Sequence, residues 1–187
     1  MSANTSRWHQ TVKLVLKNIG SQRGFDVSES EAEFIFPAKF QQFIGDRRKI
    51  HTIICKPDVV WKKSYKYRAI FEVEYSSAIE ESRFLEKKKY CIGSLMQAIL
   101  FMYNKTADYA VFITNSEQLH ESMKTFLKLI SIRDDQNIII LYEPNRGRST
   151  ITRNLSRALN QAHVLPKNRT PRRILAATQP TPTTQPT

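Results

Sequence analysis

The second half of the chain alternates short apolar runs with stretches of helical period, and this alternation restricts the fold more than any other feature. Asp108 to Thr114 and Asn137 to Tyr142 are apolar runs of strand length, while Ser116 to Ile130 and Ile151 to Ala162 repeat apolar residues at three- and four-residue spacing. Successive strands joined through helices run parallel. Both runs are apolar on each face, which predicts central strands covered by helices. Upstream, Arg7 to Ile19 places Trp8, Val12, Val15, Leu16 and Ile19 on one face of a first helix that Gly20 can end. Strand patterns follow at Phe25 to Val27 and at Ala32 to Phe36, and Gln41 to Lys49 reads as a loop.

The strongest strand signals are Ile50 to Trp61, rich in Ile and Val, and Arg68 to Tyr75, which alternates cleanly. The polar segment Lys62 to Tyr67 between them lacks Gly and predicts a loose hairpin closing near Ser64-Tyr65. Ser77 to Glu80 has capping-box form and opens a long helix to about Tyr103. The fold class expected is α/β, one mixed sheet flanked by helices, over residues 1–165. A basic stretch and then a Gln/Pro/Thr-rich end, 166–187, are expected to be a disordered tail.

Hydrophobic residues make up 41% of the 187, enough for a core without staples. The two cysteines, Cys55 and Cys91, lie in apolar runs and suit buried free thiols in a reducing compartment. No signal peptide is visible, and the most apolar segment, Ile92 to Tyr103, is about half the length of a membrane span. These features predict a cytoplasmic (intracellular) protein with no membrane partner. With only five glycines and no Walker or Gly-x-Ser-x-Gly pattern, nucleotide-driven motors and serine hydrolases are disfavoured.

Charge points to the partner. Lys and Arg total 29 against 17 acidic residues, a net of +12, and no acidic residue follows Glu143. Such an excess favours polyanions, because phosphate contacts release counterions. A solubilising basic tail is the plainer alternative. In the hairpin, Lys62, Lys63, Lys66 and Arg68 interleave with Trp61, Tyr65 and Tyr67, a mixture suited to phosphate contact and base stacking. Lysines that protect an exposed hairpin from edge pairing would look the same. Arg146-Gly147-Arg148 reads as a phosphate-contacting loop or a simple turn, with Thr150 a candidate N-cap for the last helix. The four histidines have no metal-ligand spacing and read as ordinary.

Chemistry enters with Pro57-Asp58 and with Glu72-Val73-Glu74. Side chains alternate along a strand, so Glu72 and Glu74 share a face about 7 Å apart. Closure near Ser64-Tyr65 sets Asp58 beside Phe71 or Glu72 and adds a third carboxylate. Crowded carboxylates raise one another's pKa unless a cation intervenes. Mg²⁺ (or Mn²⁺) suits such a site, and a water activated there can attack a phosphodiester. A half-exposed edge strand shows the same Glu alternation, and Pro57 suits an edge.

This pattern, with a helix before and after it, resembles the PD-(D/E)XK nuclease superfamily from about Arg7 to Thr114. The resemblance implies a restriction-endonuclease-like core of order αβββαβ, here with an extra αβα. It implies metal binding by Asp58 and Glu72, with Glu74 at the third catalytic position. That position is usually lysine; Glu-X-Glu also occurs among restriction endonucleases of the superfamily. A lysine from the next helix, where Lys87, Lys88 and Lys89 stand together, is a candidate replacement, with Lys88 taken as the auxiliary residue. An upstream acidic ligand would have to be Glu29, Glu31 or Glu33, since the first helix has none. The activity implied is Mg²⁺-dependent endonucleolytic hydrolysis of DNA, including branched or single-stranded DNA, with a homodimer an option if both strands are cut. The alternative is a catalytically inactive protein of nuclease fold that binds nucleic acid.

Overall fold

The computed structural model describes residues 3–28, 32–35, 52–55, 57–64, 66–76, 81–103, 107–130 and 137–165. Four helices and seven strands lie among them: α1 (Ala3–Gln22), β1 (Asp26–Ser28), β2 (Ala32–Ile35), β3 (Thr52–Cys55), β4 (Val59–Lys63), β5 (Lys66–Glu74), α2 (Glu81–Tyr103), β6 (Ala107–Thr114), α3 (Glu117–Leu129), β7 (Ile138–Tyr142) and α4 (Arg148–Gln161). The main sheet has the order β1-β4-β5-β6-β7. β1, β4 and β5 pair antiparallel, and β5, β6 and β7 pair parallel. The expected α/β class with one principal mixed sheet is therefore what forms.

Period-2 patterning divides the sheet cleanly. Phe71, Val73, Val111, Ile113, Val59 and Trp61 pack with Trp8, Val12, Leu16 and Ile19 of α1 and with Ile151, Leu155 and Leu159 of α4. Phe112, Ile138 and Ile140 pack on the other face against Cys91, Leu95 and Ile99 of α2 and Leu119 and Met123 of α3. Glu72 and Glu74 belong by alternation to that second face.

Several expectations change. The single strand expected over Ile50 to Trp61 is two: β3 pairs with β2 in a separate two-stranded sheet, and β4 enters the main sheet after Pro57-Asp58. Pro57 has no N–H to give a ladder, so the break falls there. The hairpin is tighter than expected, with strand pairing out to Lys63↔Lys66 and Ser64 in the left-handed region at φ 50°. β7 is an edge strand, not a central one. Gly20 lies inside α1, where a Cβ would come within 2.5 Å of the Trp61 indole nitrogen, so its role is close approach and not termination. The last helix is capped by Gly147, without a side-chain hydrogen bond, and Thr150 sits within its first turn. Ser116 does cap α3, accepting from Leu119 N–H.

The Ser77 to Glu80 box, Glu29, Glu31, the Gln41 to Lys49 loop and the 166–187 tail lie outside the described residues, as do the side chains of Glu33, Cys55, Tyr65 and Tyr103. No described helix is long and apolar enough to cross a membrane.

Candidate active site

The carboxyl ends of β5, β6 and β7 and the start of antiparallel β4 share one edge of the sheet. The pairing Val59↔Phe71 puts Asp58 one step further out, opposite Glu72. Asp58 is tied to its neighbour strand, because its Oδ2 accepts a hydrogen bond from Val73 N–H at 2.9 Å. The other carboxylate oxygen faces α1, with His9 Nε2 at 3.0 Å and Lys13 Nζ at 3.4 Å. Burial pushes the Asp58 carboxyl upward. The hydrogen bonds from His9 and Val73 and the charges of His9 and Lys13 together outweigh it, and its pKa lies below 3.8.

Glu74 is buried on the α2 face. Its carboxylate accepts from Lys87 Nζ at 2.5 Å and from Ser94 Oγ at 3.2 Å. Of the Lys87-Lys88-Lys89 run, it is thus Lys87 and not Lys88 that reaches the acids, because helix phase selects one residue in three or four.

Glu72 stands between these two anchored acids. It is 9% exposed and receives no hydrogen bond or ion pair among the described residues. Burial, then the charges of Asp58 and Glu74, raise its pKa from 4.5 to about 9, against a smaller opposing pull from Lys13. The central acid is consequently protonated at neutral pH in the metal-free chain.

Among the described residues, no three of the His, Cys, Asp and Glu side chains form a ready metal cage. The physical reason is local: His9 and Lys13 draw Asp58 toward α1, while Lys87 and Ser94 draw Glu74 toward α2. Mg²⁺ does not require such a cage, since one or two carboxylates with waters and substrate phosphates suffice. An uncompensated acid between two others fits that requirement.

The edge is clamped from behind. Asn115 accepts from Ser76 N–H at 2.7 Å and donates to Ser76 C=O at 2.9 Å, locking the chain beyond β5 to that beyond β6. Trp8 packs on Tyr75 with ring centroids 6.0 Å apart, holding α1 against the same edge. Glu143, at the end of β7, is 2% exposed and accepts from Asn154 at 3.3 Å.

The basic residues fall into two groups. Arg146 and Arg148 sit at this edge, where with Arg7 they line a cavity of about 450 Å³. Lys62, Lys63, Lys66 and Arg68 belong to the hairpin end, four to eight residues or about 13–26 Å from the acids along β4 and β5. There Lys66 and Arg68 both pair with Asp108, and Arg68 also donates to the carbonyls of Val164 and His163. Lys62 lies over the Tyr67 ring at 4.7 Å. These four are not gathered with the carboxylates.

His9 and Lys13 are site residues that sequence reasoning missed. Their signal was a four-residue spacing that puts both on one stripe of α1, beside the apolar face. Comparison with family models, with curated proteins and with solved structures finds no match.

Proposed function

We propose that this protein is a divalent-metal-dependent nuclease that hydrolyses DNA phosphodiester bonds at the Asp58–Glu72–Glu74 edge. One observation carries the reading: a buried acid, Glu72, stands between two further carboxylates, with no hydrogen bond or ion pair to it among the described residues. Burying an acid beside two other carboxylates, so that it must hold its proton to stay folded, costs stability, and such perturbed acids cluster at functional sites. Support for the PD-(D/E)XK superfamily comes from the order α1, β1, β4, β5, α2, β6, which is αβββαβ, followed by α3, β7 and α4 as the extra αβα.

In this reading Asp58 and Glu72 hold Mg²⁺ or Mn²⁺, and Glu74 completes the acidic face. The ion supplies water activation and charge neutralisation at the scissile phosphate. The chain's own residues do the rest. Val73 N–H and His9 fix the two Asp58 oxygens in direction. To serve as a ligand, Glu72 would have to release its proton to solvent. Lys87, reaching Glu74 from α2, and Lys13, beside Asp58, bring the ammonium groups that the third motif position lacks. Each is placed to hold a developing negative charge next to the acids.

The cations already paired with Asp58 and Glu74 favour a second reading, a nuclease-fold protein that binds nucleic acid without turnover. Plasmid nicking in Mg²⁺ or Mn²⁺ separates the two. A nuclease nicks, and Asp58→Ala lowers the rate by about 10²–10³-fold, on the scale of removing one charge-stabilising group. Identical background rates for wild type and Asp58→Ala, with salt-dependent DNA affinity retained in both, would establish the binding module instead.

A further inference from the structure

The cavity beside the carboxylate edge has a composition that the hydrolytic residues do not use. Three arginines line it, Arg7 from α1, Arg146 from the β7–α4 connection and Arg148 at the start of α4, together with Thr11 and Asn145. Among the described residues none of the three is ion-paired to a carboxylate. Glu143, the nearest acid in sequence, is turned to Asn154 and feels Arg146 only as a charge. α4 begins at the cavity wall. Thr150 and Ile151 N–H turn back to the carbonyl of its cap, Gly147, and no side chain caps the Arg148 and Ser149 N–H groups that precede them. Trp8, also on the wall, is 2% exposed and carries a buried indole N–H without an acceptor.

Donors and positive charge with no carboxylate in the lining describe a site for an anion rich in oxygen. At about 450 Å³ the recess matches a pocket for a small molecule and not a shallow contact patch. A phosphate monoester carries close to two charges at neutral pH and three acceptor oxygens. An internal phosphodiester carries one charge and must enter and leave along a groove. Three guanidiniums and a helix N-terminus therefore favour the monoester, for which Arg supplies paired hydrogen bonds.

We propose that this recess binds the phosphate monoester of a nucleotide, and that the nucleotide is the phosphorylated end of a DNA strand. Only the identity of that chain rests on the nuclease reading; the phosphate chemistry stands on the cavity. A strand end held beside the acids would make ends preferred over closed duplex.

Binding in EDTA tests this without turnover. Fluorescence anisotropy of the full chain would compare oligodeoxynucleotides carrying a 5′-phosphate, a 3′-phosphate or hydroxyls at both ends. A deoxynucleoside monophosphate and the plain deoxynucleoside serve as competitors. One phosphorylated end is expected to bind roughly ten- to a hundredfold tighter than hydroxyl ends. The Arg146→Ala/Arg148→Ala variant brings the two to parity, and Arg148→Lys restores part of the preference; melting curves establish that both variants are folded. Competition by the monophosphate at equal strength would keep the phosphate site and assign it to free nucleotide. Equal affinity for phosphorylated and hydroxyl ends with no competition overturns the proposal, as does a preference that survives in the double variant. Plasmid nicking is independent of these outcomes, so loss of the nuclease reading and loss of the pocket are told apart.

Discussion

The two ends of the five-stranded sheet hold the same kinds of charged residue in opposite states of balance. At the hairpin end, one half-exposed acid, Asp108, meets two cations, Lys66 and Arg68, and the guanidinium also satisfies two carbonyls beyond α4. At the other edge, cations pair with the outer two of three acids, and among the described residues the innermost has no ion pair and feels Lys13 only as a charge. The first arrangement ties elements together. The second leaves the acid that is hardest to bury without an ion pair among the described residues, which is the feature on which the proposed metal site rests.

Replacing Glu72 tests the unbalanced end most directly. Between pH 4.5 and about 9 the folded chain holds a proton on Glu72 that the unfolded chain has released. Its contribution therefore falls as pH rises through that window, by at most about 1.4 kcal/mol per pH unit. Glu72→Gln keeps the neutral shape and removes the proton dependence. It should be more stable than wild type at pH 8 by on the order of a few kcal/mol and nearly equal at pH 5. Chemical denaturation across this range checks it, and parallel curves for the two proteins would contradict an isolated acid at position 72. The same variant should not nick DNA.

Much of this end was legible because strand geometry is local. Alternation alone put Glu72 and Glu74 on one face, and closure at Ser64-Tyr65 carried Asp58 to Glu72. What partners these acids was not local. His9 and Lys13 reach Asp58 only because α1 crosses the start of β4, and no pattern within α1 says what it crosses. Lys87 was chosen over Lys88 by the phase of α2, since neighbours on a helix point about 100° apart and which one faces the acids depends on how the helix settles on β5 and β6. Nor was the structural tie of Arg68 legible, because its partners, Asp108 and the carbonyls of His163 and Val164, lie 40 and more residues away. Gly20 read as a terminator because the Trp61 indole that needs its bare Cα is likewise remote.

A divalent ion should repair the imbalance. In 100-fold excess over its dissociation constant, Mg²⁺ would add about 2.7 kcal/mol to wild-type stability. The gain should be larger at pH 8 than at pH 5, where the proton competes for Glu72, and absent from Glu72→Gln. A Tm shift equal at both pH values would place the ion elsewhere.

The balanced end should respond in the opposite way. Arg68→Met removes an ion pair and two carbonyl bonds, and about 1–3 kcal/mol of stability with them. Mg²⁺ should not restore it. Burial pushes Asp108 upward, but the bonds and charges of Lys66 and Arg68 outweigh it, so its pKa lies below 3.8. Its contribution is present above that pH and fades as pH falls below it, so the Arg68→Met deficit should be constant from pH 5 to 9. A deficit that changes across that range would mean the two ends are coupled.

The smallest effect concerns the two hairpin lysines left over. Lys62 lies over Tyr67 and Lys63 is exposed, and neither is paired with an acid among the described residues. Lys62→Ala/Lys63→Ala should leave stability within about 0.5 kcal/mol, as for surface positions generally. If duplex DNA lies along β4, the tip meets it about four to five base pairs from Asp58, at 3.4 Å per pair over some 13–17 Å. Each lysine then neutralises one phosphate, and the slope of log affinity against log salt should shrink by about 0.9 per residue. Nicking at saturating DNA should be unchanged, because these side chains position the duplex and do not touch the reacting phosphate. Asp58→Ala should show the reverse, a lost rate with an intact slope. An unchanged slope in the lysine variant would confine DNA to the carboxylate edge and leave the hairpin a purely structural end.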